Sequence, residues 1–155
     1  MNVIRLGLLG GLIIFFASQA LPTTAAANGL TSPVGTWQTI DDASKKPRSV
    51  VTIWEDGGKL YGKIDKIFYK PGEKEDPLCD KCEGERHNKP VIGMTFMWDL
   101  EKDDDEWNGG KILDPDNGEI YKCYVEVQEG GKRLKVRGYV GFALLGRTQY
   151  WQRVN

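Results

Sequence analysis

The sequence predicts an all-β fold: a single eight-stranded antiparallel up-and-down barrel. Three observations lead there. Short segments rich in β-branched and aromatic residues alternate apolar and polar side chains with a period of two, as strands with one buried face do. Turn signals such as Asp56-Gly57-Gly58, Pro115-Asp116-Asn117-Gly118 and Gly130-Gly131 separate them. Beyond residue 27 no segment carries the apolar period of an amphipathic helix.

The strands follow in order. Residues 34–40 (VGTWQTI) alternate, and residues 48–56 (RSVVTIWED) are β-branched and aromatic. Residues 59–69 place Leu60, Ile64 and Phe68 on one parity, with Lys63 and Asp65 on the other. After a long polar loop, residues 70–90, a fourth strand over 91–100 puts Ile92, Met94, Phe96, Trp98 and Leu100 on one face. Residues 106–114 follow the KDDDE turn. Residues 119–129 alternate Tyr121, Cys123, Val125 and Val127 against Lys122, Glu126 and Gln128. Residues 132–141 alternate Leu134 and Val136 against Lys135 and Arg137, and residues 146–154 close the chain. Short connections pair sequence neighbours antiparallel, and closure removes the exposed edges. A sandwich is the alternative.

This meander places the 70–90 loop, the 115–118 turn and residues 141–146 together at one end. Trp37, Trp151 and Arg153 gather toward the other.

Residues 1–27 read as a secretory signal peptide: Arg5, an apolar run over residues 6–16, Pro22, then Ala25-Ala26-Ala27. The run is too short for a good membrane span. Cleavage leaves residues 28–155 as one domain, in the periplasm or outside the cell. The formal net charge of the whole chain is −1. That balance argues against a nucleic-acid partner, gives no reason to expect attraction to anionic lipid, and implies no stable membrane insertion after cleavage.

An oxidising compartment gives meaning to the three cysteines. Cys79-x-x-Cys82 shares the 70–90 loop with the only histidine, His87. The reading adopted is a Cys79–Cys82 disulfide that limits the loop's freedom over the open end, where the loop is placed to gate the mouth. Three alternatives stay open: a bridge from one loop cysteine to Cys123, a zinc site of Cys79, Cys82, His87 and Cys123, and a redox dithiol, which lacks the usual helix N-terminus. His87 itself reads as a solvated loop residue. The aspartates 99, 103–105, 114 and 116 cluster in turns, a poor setting for paired catalytic carboxylates. No cofactor and no catalytic residue is expected.

Gly35-x-Trp37 on the first strand, with Arg153 on the last, resembles the lipocalin signature, in which the tryptophan plugs the closed end and the arginine packs across it. Four motifs in order (GTWQT, the cysteine loop followed by KPVIGM, GGKILDPDNGEIYKC, and LKVRGYVGFALLGRTQYWQR) resemble the bacterial domain of unknown function 2147 family. That resemblance implies a lipocalin-like or streptavidin-like exported barrel and implies no activity.

Inward parity makes Ile64, Phe68, Met94, Phe96, Trp98, Tyr121, Val125 and Val136 the candidate lumen lining. Eight strands enclose a lumen that side chains fill or that holds one small ligand. The leading expectation is non-enzymatic binding of a small apolar or amphipathic molecule, with Tyr121 as a polar handle. The alternatives are an envelope interaction module with a filled barrel and, behind it, zinc or thiol chemistry at the cysteine loop. The apolar run Phe142-Ala143-Leu144-Leu145 stands at the open end, where the alternatives are a lid over the mouth and an exposed partner-binding patch; the reading adopted is that it folds back into the core.

Overall fold

A computed structural model describes residues 31–154; the proposed signal peptide lies outside them. Eight strands form a closed barrel in sequence order: β1 (Gly35–Ile40), β2 (Pro47–Asp56), β3 (Lys59–Ile67), β4 (Thr95–Asp103), β5 (Glu106–Leu113), β6 (Ile120–Gln128), β7 (Arg133–Tyr139) and β8 (Gly146–Val154). Every neighbouring pair is antiparallel, and β8 returns to β1 to close the ring. The only other elements among the described residues are single 3-10 turns at Gly84–Arg86 and Glu129–Gly131, besides the residue before Ser32 at the edge of the described segment.

The strand boundaries differ from the sequence expectation mainly at β4, which starts at Thr95 rather than at residue 91. Residues 91–94 form a turn instead, with Gly93 at φ 85° and the Met94 N–H donating to the Val91 carbonyl at 3.2 Å, so pairing with β3 begins at Thr95. The ladder beyond is irregular. Between Gly62↔Met97 and Leu60↔Leu100, β4 spends three residues against two on β3. The extra residue is accommodated at Asp99, whose φ is 60°, a conformation aspartate tolerates better than most residues. One inserted residue reverses which side chains face inward. A second irregularity, where Thr95 to Met97 on β4 spans only Lys63 to Gly62 on β3, restores the inward parity. Phe96, Met97 and Leu100 are therefore all buried, while Trp98 is only partly buried, against the simple alternation.

Inside, the barrel divides into two halves. Trp37, Ile53, Leu60, Met97, Leu100, Trp107, Val125 and Leu134 pack the lower half solidly. Gly62 serves this packing, since a Cβ there would stand 3.1 Å from the Met97 methyl carbon.

The lower end is sealed by Arg153. Its guanidinium lies 4.1 Å from the centre of the Trp37 ring. It donates to the carbonyls of Ser32, Val34 and Gly131 at 2.6, 3.0 and 2.6 Å. The Trp37 indole in turn donates to the Pro33 carbonyl at 2.8 Å. Gly35 has a φ of 136°, and a Cβ on it would lie 2.7 Å from the Arg153 Nη1. Glycine at the first position of Gly35-x-Trp37 is thus the space the arginine occupies. A guanidinium stacked on an indole and donating to three carbonyls is a substantial lock.

Candidate functional site

The upper half of the barrel holds a cavity of about 450 Å³. Its floor is apolar: Val51, Ile64, Phe96, Val136 and Trp151. Phe96 and Trp151 meet with ring centroids 6.0 Å apart. Above them comes a polar belt. Thr39 and Ser49 share a hydroxyl–hydroxyl hydrogen bond of 2.7 Å, and Gln149 accepts the Trp151 indole N–H at 3.1 Å.

The rim carries Asp41, Arg48, Asp114, Asp116, Asn117, Tyr121, Tyr139 and Arg147, together with Val140 and Leu145. Three of its charges are tied to neighbouring segments. Arg48 meets Glu73 at 2.6 Å, Lys70 meets Asp41 at 2.9 Å, and Arg147 meets Asp42. Hydrogen bonds from the Lys70 backbone N–H and from Arg48 hold Glu73 below the usual carboxylate range. Donors on Ser44 and Lys70 do the same for Asp41. Tyr121 presents its hydroxyl at the rim, where it accepts from the Asn117 amide at 3.0 Å.

Of the eight side chains expected in the lumen, Ile64, Phe96, Tyr121 and Val136 line this cavity. Val125 belongs to the packed lower half, facing Trp107 and Val136 in the ladders. Met94 is buried where the chain re-enters the barrel and lines a separate lateral groove with Arg86, Pro90 and Ile92. Two positions need correction. Phe68 lies beyond the end of β3, outside the cavity, with the Lys66 ammonium 4.9 Å above its ring. Trp98 is displaced from the cavity by the ladder irregularities on either side of it; it is half-buried and stacks under the Arg86 guanidinium at 4.3 Å. The rim residues Asp41, Arg48 and Arg147 stand at strand ends, where no alternation marks them.

Cys79 and Cys82 form a disulfide, and Cys123 is a buried free thiol. The bridge consumes two members of the four-residue zinc alternative, which is not assembled. His87 is exposed and shares hydrogen bonds with the Cys82 carbonyl and the Asn88 amide, both at 2.9 Å. Burial alone pushes the Cys123 thiol far above its ordinary range. We therefore expect no reaction of the native, unreduced protein with a thiol reagent, one thiol per chain after denaturation, and three after reduction. Three thiols in the unreduced, denatured protein would remove the disulfide.

The cysteine loop does not cover the mouth, contrary to the expected gate. No residue from 70 to 90 lines the cavity. The loop folds on itself instead, through Cys79 N–H to the Lys89 carbonyl, Asn88 N–H to the Cys79 carbonyl and Val91 N–H to the Pro77 carbonyl. It then docks on the 115–118 turn. The Lys81 ammonium donates to the Asp116 carbonyl at 2.8 Å, and Cys79 Sγ lies 3.6 Å from the Pro115 carbonyl. Gly118, at φ 78°, packs so closely that a Cβ would fall 2.0 Å from the Lys81 carbonyl oxygen. The loop is thus a buttress behind one sector of the rim.

An antiparallel eight-stranded barrel, locked by tryptophan and arginine at one end and hollow at the other, is a lipocalin-like fold. The chain belongs to the family described as "Uncharacterized protein conserved in bacteria (DUF2147)", whose model matches residues 35–153. Among solved structures it is similar to protein HP1028 from the human pathogen Helicobacter pylori, described as belonging to the lipocalin family. The TM-score is 0.68 and the identity 24%, over 80% of this chain and 84% of that one. No curated protein sequence matches the chain.

Proposed function

We propose that the protein is a non-enzymatic carrier that takes one small amphipathic molecule into the barrel, apolar end down. The polarity gradient of the cavity carries this reading: aromatic and aliphatic floor, hydroxyl and amide belt, charged rim. Its volume of about 450 Å³ falls within the range of small-molecule sites. The polar side chains that reach it are engaged with one another or with neighbouring segments: Thr39 with Ser49, Gln149 with Trp151, Arg48 with Glu73, Arg147 with Asp42. That pattern suits a preformed container better than a set of groups poised for proton transfer. The disulfide, with the apolar N-terminal run, supports residence in the periplasm or outside the cell.

Trp151 in the floor supplies the readout. Titration with a long-chain fatty acid or with anilinonaphthalene sulfonate should change tryptophan emission saturably, with one site per chain. Gly138→Phe should weaken that binding about tenfold or more. The nearest atoms to a Cβ at Gly138 belong to the Ile112 and Tyr121 side chains, the closest at 3.4 Å, and Gly138 lines the cavity, so the new ring can grow into it. The melting temperature should hold in the variant. No saturable change with either probe, together with an apo-only native mass spectrum of protein purified from its own envelope, would overturn the reading in favour of a protein-interaction module.

A further inference from the structure

We propose that the β7–β8 hairpin tip, residues 140–145, docks the open end of the barrel onto a bilayer that carries anionic headgroups. The expectation that these residues return to the core is not met. Val140, Phe142, Leu144 and Leu145 are 62%, 80%, 91% and 70% exposed. No ionisable side chain other than the weakly acidic Tyr139 occurs between Arg137 and Arg147. The tip is nevertheless built, not frayed. The Arg137 guanidinium donates to the Ala143 and Leu144 carbonyls at 2.6 and 3.2 Å, and the Val140 N–H donates to the Leu145 carbonyl at 3.0 Å. The fold thus holds four apolar side chains outward at the cavity mouth, which Val140 and Leu145 also line.

A second observation, on the sheet below the tip, selects the occupant. The near-neutral net charge gave no reason to expect anionic lipid, but it conceals a segregated distribution. Lys111 pairs in register with Lys122, Lys122 with Tyr139, and Tyr124 with Arg137. Among the described residues, Lys111, Lys122 and Arg137 make no ion pair. Tyr124 and Tyr139 stand in the same band, ring centroids 6.3 Å apart. An apolar wedge with tyrosines and uncompensated cations one step behind it matches the layering of a membrane interface, where aromatics and basic residues sit at headgroup depth. Of the acids at this end, Asp41, Asp42 and Glu73 are matched by Lys70, Arg147 and Arg48, while Asp114, Asp116 and Glu119 lie on the neighbouring β5–β6 turn. The latter three tilt the docked barrel toward β7 and β8. A convex tip of four side chains is also small for a stable protein interface, which takes about 800 Å² per partner.

The test is vesicle co-sedimentation of the mature protein, and it does not depend on whether the cavity holds a guest. Vesicles of phosphatidylcholine alone are compared with vesicles containing about a quarter phosphatidylglycerol. The wild type should bind the anionic vesicles, less so as salt is raised. Phe142→Asp with Leu144→Asp should reduce that binding at least about tenfold. Lys111→Gln with Lys122→Gln should weaken it about fivefold or more on anionic vesicles, with little effect on neutral ones. All four side chains are exposed or outward-facing, so far-UV circular dichroism and the melting temperature should match the wild type in both variants. Failure of the wild type to bind either vesicle overturns the proposal, as does binding that the aspartate variant leaves unchanged. A dimer that the aspartate variant dissociates, without vesicle binding, assigns the tip to a second copy of the chain and equally overturns it.

Discussion

Trp37→Ala should lower the unfolding free energy by about 3–5 kcal/mol, the usual cost of removing a buried tryptophan. A domain of this size commonly has about 5–15 kcal/mol in all, so the variant is expected at the edge of folding. Two losses combine. The indole is fully buried and fills the sealed end. It is also the surface on which the Arg153 guanidinium rests, 4.1 Å from the ring centre. Without it, a partly buried cation keeps its three carbonyl partners but faces a void. Chemical denaturation followed by far-UV circular dichroism measures the effect. A loss below about 1 kcal/mol would mean that the end relaxes around the hole and that the lock contributes little.

Gly118→Ala should cost about 2–4 kcal/mol, unusually much for a methyl group added in a turn. Gly57→Ala isolates the reason. Both glycines have positive φ, 78° and 57°, but a Cβ at Gly57 meets nothing within 4 Å, whereas one at Gly118 strikes the Lys81 backbone. The Gly57 variant should therefore show only the conformational cost, about 1 kcal/mol. The excess in Gly118→Ala reports the docking of the cysteine loop. Hydrogen exchange at the Cys82 amide should accelerate in Gly118→Ala and not in Gly57→Ala. Equal destabilisation of the two variants would show that the loop and the 115–118 turn are energetically independent.

Most of the barrel was legible because its signals are local. Alternation over residues 120–128 and 133–139 states the inward face directly, and the turn residues between strands leave little choice of pairing. The closed end was legible for a different reason: Trp37 and Arg153 stand at matching heights once the strands are counted, and they prove to be cross-strand partners. At β4 the same logic misleads. Phe96-Met97-Trp98 are three apolar residues in succession, so either parity satisfies the pattern. The choice falls to two ladder irregularities, one between Thr95 and Met97 and one at Asp99, whose left-handed backbone carries no glycine to announce it. The cavity was half legible. Its floor follows the alternation, but its rim is set by where strands end and which loops pair with them, as in Arg48–Glu73 across 25 residues of sequence. The display of Phe142 and Leu144 opposes the tendency of apolar side chains to be buried, and sequence pattern alone defaults to burial.

The seam between β1 and β8 has one more consequence. It is the shortest pairing in the ring, just Thr36↔Val154, Trp37↔Arg153 and Gln38↔Gln152. It also joins residues more than a hundred positions apart, as the Arg153 bond to the Ser32 carbonyl shows with a separation of 121. The other seven pairings join consecutive strands and can form as the chain becomes available. This one waits for the last strand, and a contact between such distant segments bears the largest loop-closure entropy. Folding of this molecule therefore ends with a zipper: a curved sheet, exposing its apolar concave face, becomes a container only when the final few residues find the first strand. Loss of residues 152–154 would leave a nearly complete sheet open along one side, and it is in that unclosed form that the chain would be most prone to aggregate.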